Sequence, residues 1–155
     1  MSKRSLCFFV RVAIIMVFIC GVCICAGLYP FLVSLNGLNK GIEAVMWSQL
    51  IFYWITSIPC FMILGVGWKI SSSITDELFT NKNAKYLKIS AIILFVDSVV
   101  FLIGNLVFMI MEYNVFAIVF FMLDIIALVV SLALGVAGYY VKTATNIREE
   151  NESFI

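Results

Sequence analysis

Two carboxylates, Asp97 and Asp124, interrupt long apolar runs and are the residues of this chain best placed to do chemistry. A central aspartate in a bilayer costs roughly 2.5–3.5 kcal/mol on insertion scales, so each one needs a partner or a purpose. Asp97 follows Tyr86 by eleven residues, and Asp124 follows Tyr113 by eleven. At about 1.5 Å of rise per residue, each then lies about 16 Å from its own interface, near the middle of a membrane. On facing antiparallel helices the two carboxyls come within reach of sharing one proton. Three roles are open to such a pair: a path for protons or cations, structural glue inside a bundle, or a docking point for a helix of another membrane protein. Arg11, shallow in the first apolar run, is the basic residue that can reach toward Asp97 or snorkel back to the head groups.

The remaining reactive side chains point away from catalysis. Histidine is absent, which removes the commonest general base and the commonest metal ligand. Cys20, Cys23 and Cys25 form "CGVCIC", but a reactive or metal-binding thiolate needs an electropositive setting and further ligands. Inside an apolar run these cysteines read as small hydrophobes. Ser71, Ser72 and Ser73 near Lys69 resemble a Ser-Lys pair, yet a serine run at a membrane surface reads first as a solvated helix end. No catalytic residue, no metal and no cofactor is expected. A net charge of +1 gives no support to direct nucleic-acid binding.

The elements that must position the aspartates follow from hydropathy. Of 155 residues, 64% are hydrophobic and 12% charged, about half the charge usual in soluble domains. Four stretches reach the about 20 apolar residues that cross a bilayer, with spans expected near 9–29, 45–68, 87–111 and 114–140. Tyr29-Pro30 marks the end of the first span or a kink in it. That span exceeds the h-region of a signal peptide and is expected to be retained. The expected fold is all-α: a single domain, an integral membrane bundle of four transmembrane helices.

Basic residues orient it. Lys3, Arg4, Arg11, Lys69, Lys82, Lys85, Lys88, Lys142 and Arg148 fall on one side, and Lys40 falls on the other. By the positive-inside rule both termini are expected in the cytoplasm, together with a loop at 69–86 and a tail at 142–155. That loop carries "DELFTNKNAKYLKIS", in which Thr80 or Asn81 can cap a helix running into the membrane. Lys82, Lys85 and Lys88 recur at three-residue spacing. They either contact anionic head groups or an acidic partner, or they only set topology. The tail is compatible with a helix and ends in acids, then Phe154-Ile155.

Small residues mark the expected seam. Asp124, Ser131, Gly135 and Gly138 share one stripe of the fourth span, and Ser90, Asp97 and Gly104 share one on the third. The seam closes equally well within one chain or between two copies, so a homo-oligomer stays open. Pro59 in the second span, followed by Gly65 and Gly67, is a static kink or a hinge for the cytoplasmic loop.

"FYWITSIPCFMILGVGWKI" running into "ELFTNKNAKYLKIS", with "TATNIREENESFI" at the end, resembles domain-of-unknown-function family 2975. The matching marks are Pro59, Phe79-Thr80, Asn83, Leu87 and the acidic Glu149-Glu150-Asn151, from about Tyr53 onward; the final "ESFI" departs from the usual ending. The resemblance implies a small four-span protein of a bacterial cytoplasmic membrane, often encoded beside a helix-turn-helix repressor, and no reaction. The combined expectation is a non-enzymatic multi-pass protein contacting a regulator or another membrane component through its loop and tail. The alternative is a small transporter or immunity-type protein that uses Asp97 and Asp124. Against a drug-exporter analogue, the first span carries no acid.

Overall fold

Helix formation is close to obligatory for such a chain, because hydrocarbon offers backbone N–H and C=O groups no partner and a helix satisfies them internally. The computed structural model describes residues 3–36, 43–73, 80–111 and 117–153. They form α1 (Lys3–Asn36), α2 (Glu43–Ser73), α3 (Asn81–Ile110) and α4 (Ala117–Ser153). Lys40, Asp76, Glu77, Phe79, Tyr113 and Phe154-Ile155, which carried part of the topological expectation, lie outside the described residues. All four helices are long and apolar enough to cross a membrane.

Each helix packs on the next in chain order, and the contacts run antiparallel. Along α1 and α2, Cys7 meets Ser71, Ile14 meets Gly67, Phe18 meets Phe61, Trp54 Nε1 donates to the Cys25 carbonyl at 3.1 Å, and Tyr29 meets Trp47. Between α2 and α3, Lys69 lies over Tyr86 at one end and Tyr53 bonds Asn105 toward the other. The start of α1 and the end of α4 therefore share one end of the bundle.

The polarity of a soluble fold is reversed. Phe8, Met16, Ile24, Ile110 and Leu132 are exposed, while Gln49, Thr56, Ser90, Ser98, Asn105 and Ser131 are buried. Such an outer surface suits lipid, and several of the inner polar groups bond backbone or one another. Ser131 Oγ donates to the Ala91 carbonyl of α3 at 2.9 Å, and Thr56 Oγ1 to the Phe52 carbonyl at 3.0 Å.

Two boundaries differ from expectation. Of the two roles open to Pro30, end or kink, the first is removed: α1 continues to Asn36, and Leu32 beyond the proline clusters with Met46 and Leu50 of α2. The proline deprives only the Ala26 carbonyl of its helical donor. Within the expected loop at 69–86, residues 69–73 and 81–86 are helical, and 74–79 lie outside the described residues. Ser71 is buried against Cys7 rather than solvated, and Ser72 accepts from Arg11 at 3.0 Å, so the last turn of α2 is tied to α1. Thr80 caps α3 as expected, its hydroxyl accepting from the Asn83 amide at 3.2 Å. The tail is helix through Ser153, with Arg148 and Glu152 paired at 2.7 Å one turn apart. Pro59 likewise lies inside an unbroken α2.

The α3–α4 seam is the tightest part of the fold. A Cβ on Gly138 would lie 3.2 Å from Leu87 Cβ and 3.3 Å from both the Ala84 carbonyl oxygen and the Lys88 nitrogen. A Cβ on Gly135 would meet Ala91 at an ordinary 3.7 Å. Gly138→Leu is expected to force the helices apart and cost about 1–3 kcal/mol. Gly135→Ala is expected to hold or raise stability, since alanine is the better helix former by up to about 1 kcal/mol. Thermal unfolding of both variants in detergent, followed by circular dichroism, checks the contrast.

Candidate functional site

Three contacts on α3 and α4 set the register that builds the site. Gly138 meets Ala84, Ser131 bonds Ala91, and Asp124 faces Ser98. Each step is seven residues on both helices, about 10 Å along the axis. The α4 stripe expected from sequence thus faces α3. The α3 stripe Ser90–Asp97–Gly104 is not its counterpart: the facing positions are Ala84, Ala91 and Ser98, one residue round the helix. Backbones this close at Gly138 accept only small side chains opposite. Gly104 instead receives the Phe52 ring of α2, and Asp97 turns toward the space enclosed by the helices.

That space is a cavity of about 270 Å³ to which all four helices contribute. Cys25 and Leu28 come from α1, Tyr53, Thr56 and Cys60 from α2, Asp97, Ser98 and Phe101 from α3, and Phe120 and Asp124 from α4. The pair foreseen as meeting across the bundle lines one chamber. Asp124 is only 3% exposed, and its Oδ1 has no hydrogen-bond partner. Ser98 Oγ, facing it, also falls outside hydrogen-bond geometry. Asp97 is half-buried.

Aromatic rings close the chamber on the side away from the termini. Tyr53 stacks on Phe120 with centroids 4.7 Å apart, Phe101 lies 5.9 Å from Tyr53, and Tyr53 Oη donates to Asn105 Oδ1 at 3.0 Å. An apolar cleft of about 290 Å³ adjoins it, lined by Ile24, Gly27, Leu28, Phe31, Val119 and Phe120. This cleft lies between α1 and α4, which do not pack against each other among the described residues. The chamber therefore has a side opening toward lipid.

Arg11 does not turn to Asp97. Its Nη2 donates to Ser72 and its guanidinium lies 5.2 Å from the centre of the Trp68 ring, so it reaches back toward the termini's end, with its Nε buried and without a hydrogen-bond partner. Lys82, Lys85 and Lys88 do not share a face. Successive three-residue steps turn about 60° backward, so Lys82 and Lys88 stand about 120° apart. Lys82 lies in a hollow with Trp68 and Tyr86 toward α2, while Lys85 and Lys88 border a groove toward α4. Ser98, Tyr53, Asn105, Thr56 and Cys60 were missed from sequence. The signal was the seven-residue series Ala84, Ala91, Ser98, Asn105, whose alanines look merely apolar.

These features define a class, a four-helix membrane-spanning protein with an acidic chamber at its centre. The chain belongs to DUF2975, a family of proteins of unknown function, which it matches over residues 31–155. The match takes in both aspartates and begins before Tyr53, where the sequence resemblance started. No curated protein and no solved structure matches the chain.

The Tyr53–Asn105 bond joins α2 to α3 where the lining rings converge. Tyr53→Phe is expected to cost about 1–2 kcal/mol, because it takes a donor from the buried Asn105 Oδ1, and Asn105→Ala more, up to about 3 kcal/mol, because it also removes the amide's bond to the Phe101 carbonyl and buried side-chain volume. Thermal midpoints in one detergent give the order.

Proposed function

We propose that this protein is a non-enzymatic receptor of the bacterial cytoplasmic membrane whose chamber binds a small lipophilic cation entering from the bilayer. The observation that carries this is the unpartnered Oδ1 of the buried Asp124. A buried carboxylate oxygen without a partner is costly and is relieved by a proton or a positive charge. Asp97 on the same wall adds a second acid, and the rings of Tyr53, Phe101 and Phe120 offer faces to a cation. The opening between α1 and α4 leads to lipid, which favours an amphiphilic ligand over a hydrated ion.

The output surface, in the same proposal, is the end that carries the termini. Asn81 Nδ2 donates to Glu149 Oε1 at 3.1 Å, which joins the start of α3 to the helical tail. Lys82 and this joined pair are the contact we assign to a regulator, such as a helix-turn-helix protein, or to another membrane component. Structural glue remains the role of Asp124 if its carboxyl only bonds within the bundle. Transport receives less support, because the described opening is lateral rather than axial.

Benzyltrimethylammonium and its neutral isostere neopentylbenzene separate these roles. The cation at about ten times its Kd is expected to stabilise the purified protein by about 1.4 kcal/mol, or a few degrees in Tm. The neutral compound is expected to have little effect. Asp97→Asn combined with Asp124→Asn should abolish the cation's effect while the protein still folds. A shift that survives the double substitution removes the carboxylates from the site, and a collapse in folded yield makes them glue.

A further inference from the structure

A second site lies outside the chamber, on the lipid-facing side of the α3–α4 seam. Here a groove of about 760 Å³ runs up from the end that carries the termini. Lys85 and Lys88 line one wall, one turn apart, and Lys142 lines the other with Tyr139 three residues deeper. Beyond them the walls become Ala91, Ile92 and Gly135. The groove thus has a cationic mouth, an aromatic rim and an apolar upper part, which is the polarity profile of a phospholipid read from head to chain.

Close packing makes the mouth. With Gly138 against the backbone of Ala84 and Lys88, α3 and α4 bring lysines from both helices around one hollow. Each of these lysines is exposed, and none has an ion-pair partner among the described residues. The acid at the solvent end, Glu149, accepts from the Asn81 amide and keeps its charge, so the three lysines still outnumber it at the mouth. A surplus of positive charge around one hollow calls for an anion. The apolar wall above them calls for an acyl chain attached to it.

We propose that this groove binds an anionic phospholipid of the leaflet on the termini's side, its phosphate held by Lys85, Lys88 and Lys142 and one chain lying along Ala91 and Gly135. This is independent of what fills the chamber. Lys82, on the α2 side, is not part of it.

Native mass spectrometry of the full chain, titrated in detergent with phosphatidylglycerol, phosphatidylcholine or inorganic phosphate, tests it. Wild type is expected to retain phosphatidylglycerol in preference to phosphatidylcholine. Lys85→Gln, Lys88→Gln and Lys142→Gln together are expected to weaken it on the order of 100-fold, as the loss of three charges at an anionic surface implies. The corresponding triple arginine variant should keep binding, and Lys82→Gln should be unchanged. These lysines are solvent-exposed, so the variants are expected to fold, which size exclusion and circular dichroism verify. Equal retention of the two lipids overturns the proposal, as does wild-type retention by the triple glutamine variant. Inorganic phosphate binding as tightly as phosphatidylglycerol makes the groove a phosphate site and overturns the lipid assignment.

Discussion

The close approach of α3 and α4 governs the molecule. Gly138 brings two backbones nearly into contact, and from that point the helices can face each other only through small side chains, repeated every seventh residue. A seven-residue repeat drifts little on an α-helix and keeps one seam facing its partner along its length. Moving up the seam from Gly138 through Ser131, the next position on α4 is Asp124. The carboxylate occupies a place that packing geometry reserves for a small residue. It is buried because the seam is tight, and it borders a cavity because the seam ends there.

Lipid as solvent explains the rest of the inside-out arrangement. Apolar surface gains little by leaving hydrocarbon, so association relies on fit and on polar groups meeting inside. Each interface has a bond of this kind. Ser131 reaches the Ala91 carbonyl, Tyr53 reaches Asn105, and Cys7 donates to the Ser71 carbonyl at 3.2 Å. Where such pairing stops, at Asp124 and Ser98, a cavity begins. The contact between α1 and α4 is missing among the described residues for a related reason. Flanked by Ile24 and Phe31 on one side and Val119 on the other, that cleft has no polar residue to draw the helices together, and its one small residue, Gly27, has nothing within 4 Å of where a Cβ would stand.

Much of this was legible in the sequence, and the exceptions have physical causes. Four apolar runs, the cap at Thr80 and the stripe on α4 are properties of local spacing, and they survive folding intact. The partner stripe on α3 was displaced by one residue because Asp97 and Gly104 are conspicuous, whereas the alanines that face Gly138 and Ser131 carry no mark. Arg11 was ambiguous because a long side chain has two directions available, and only the positions of Ser72 and Trp68 decide between them. The chamber was invisible for another reason. Its volume is a remainder of packing, set jointly by Phe120, Tyr53 and Leu28 from three separated helices, and no spacing within one segment encodes a remainder. The serines at 71–73 were read as a solvated helix end because their partners on α1 are unknown to a single segment, whereas Ser71 is buried against Cys7.

Continuity of α4 has a mechanical consequence. Ala117–Ser153 is one helix, and Gly138, its point of closest contact, divides it into two arms. The arm to Asp124 is about 21 Å and the arm to Glu149 about 16 Å, from the rise per residue. A rod held at an intermediate fulcrum is a first-class lever. Any tilt that swings Asp124 toward or away from the cavity swings the tail the opposite way, with roughly four-fifths of the amplitude by the ratio of those arms. The residue at the fulcrum has no side chain, so the pivot is the α4 backbone against the Leu87 Cβ and the backbone of Ala84 and Lys88, atoms that no rotamer change can move aside.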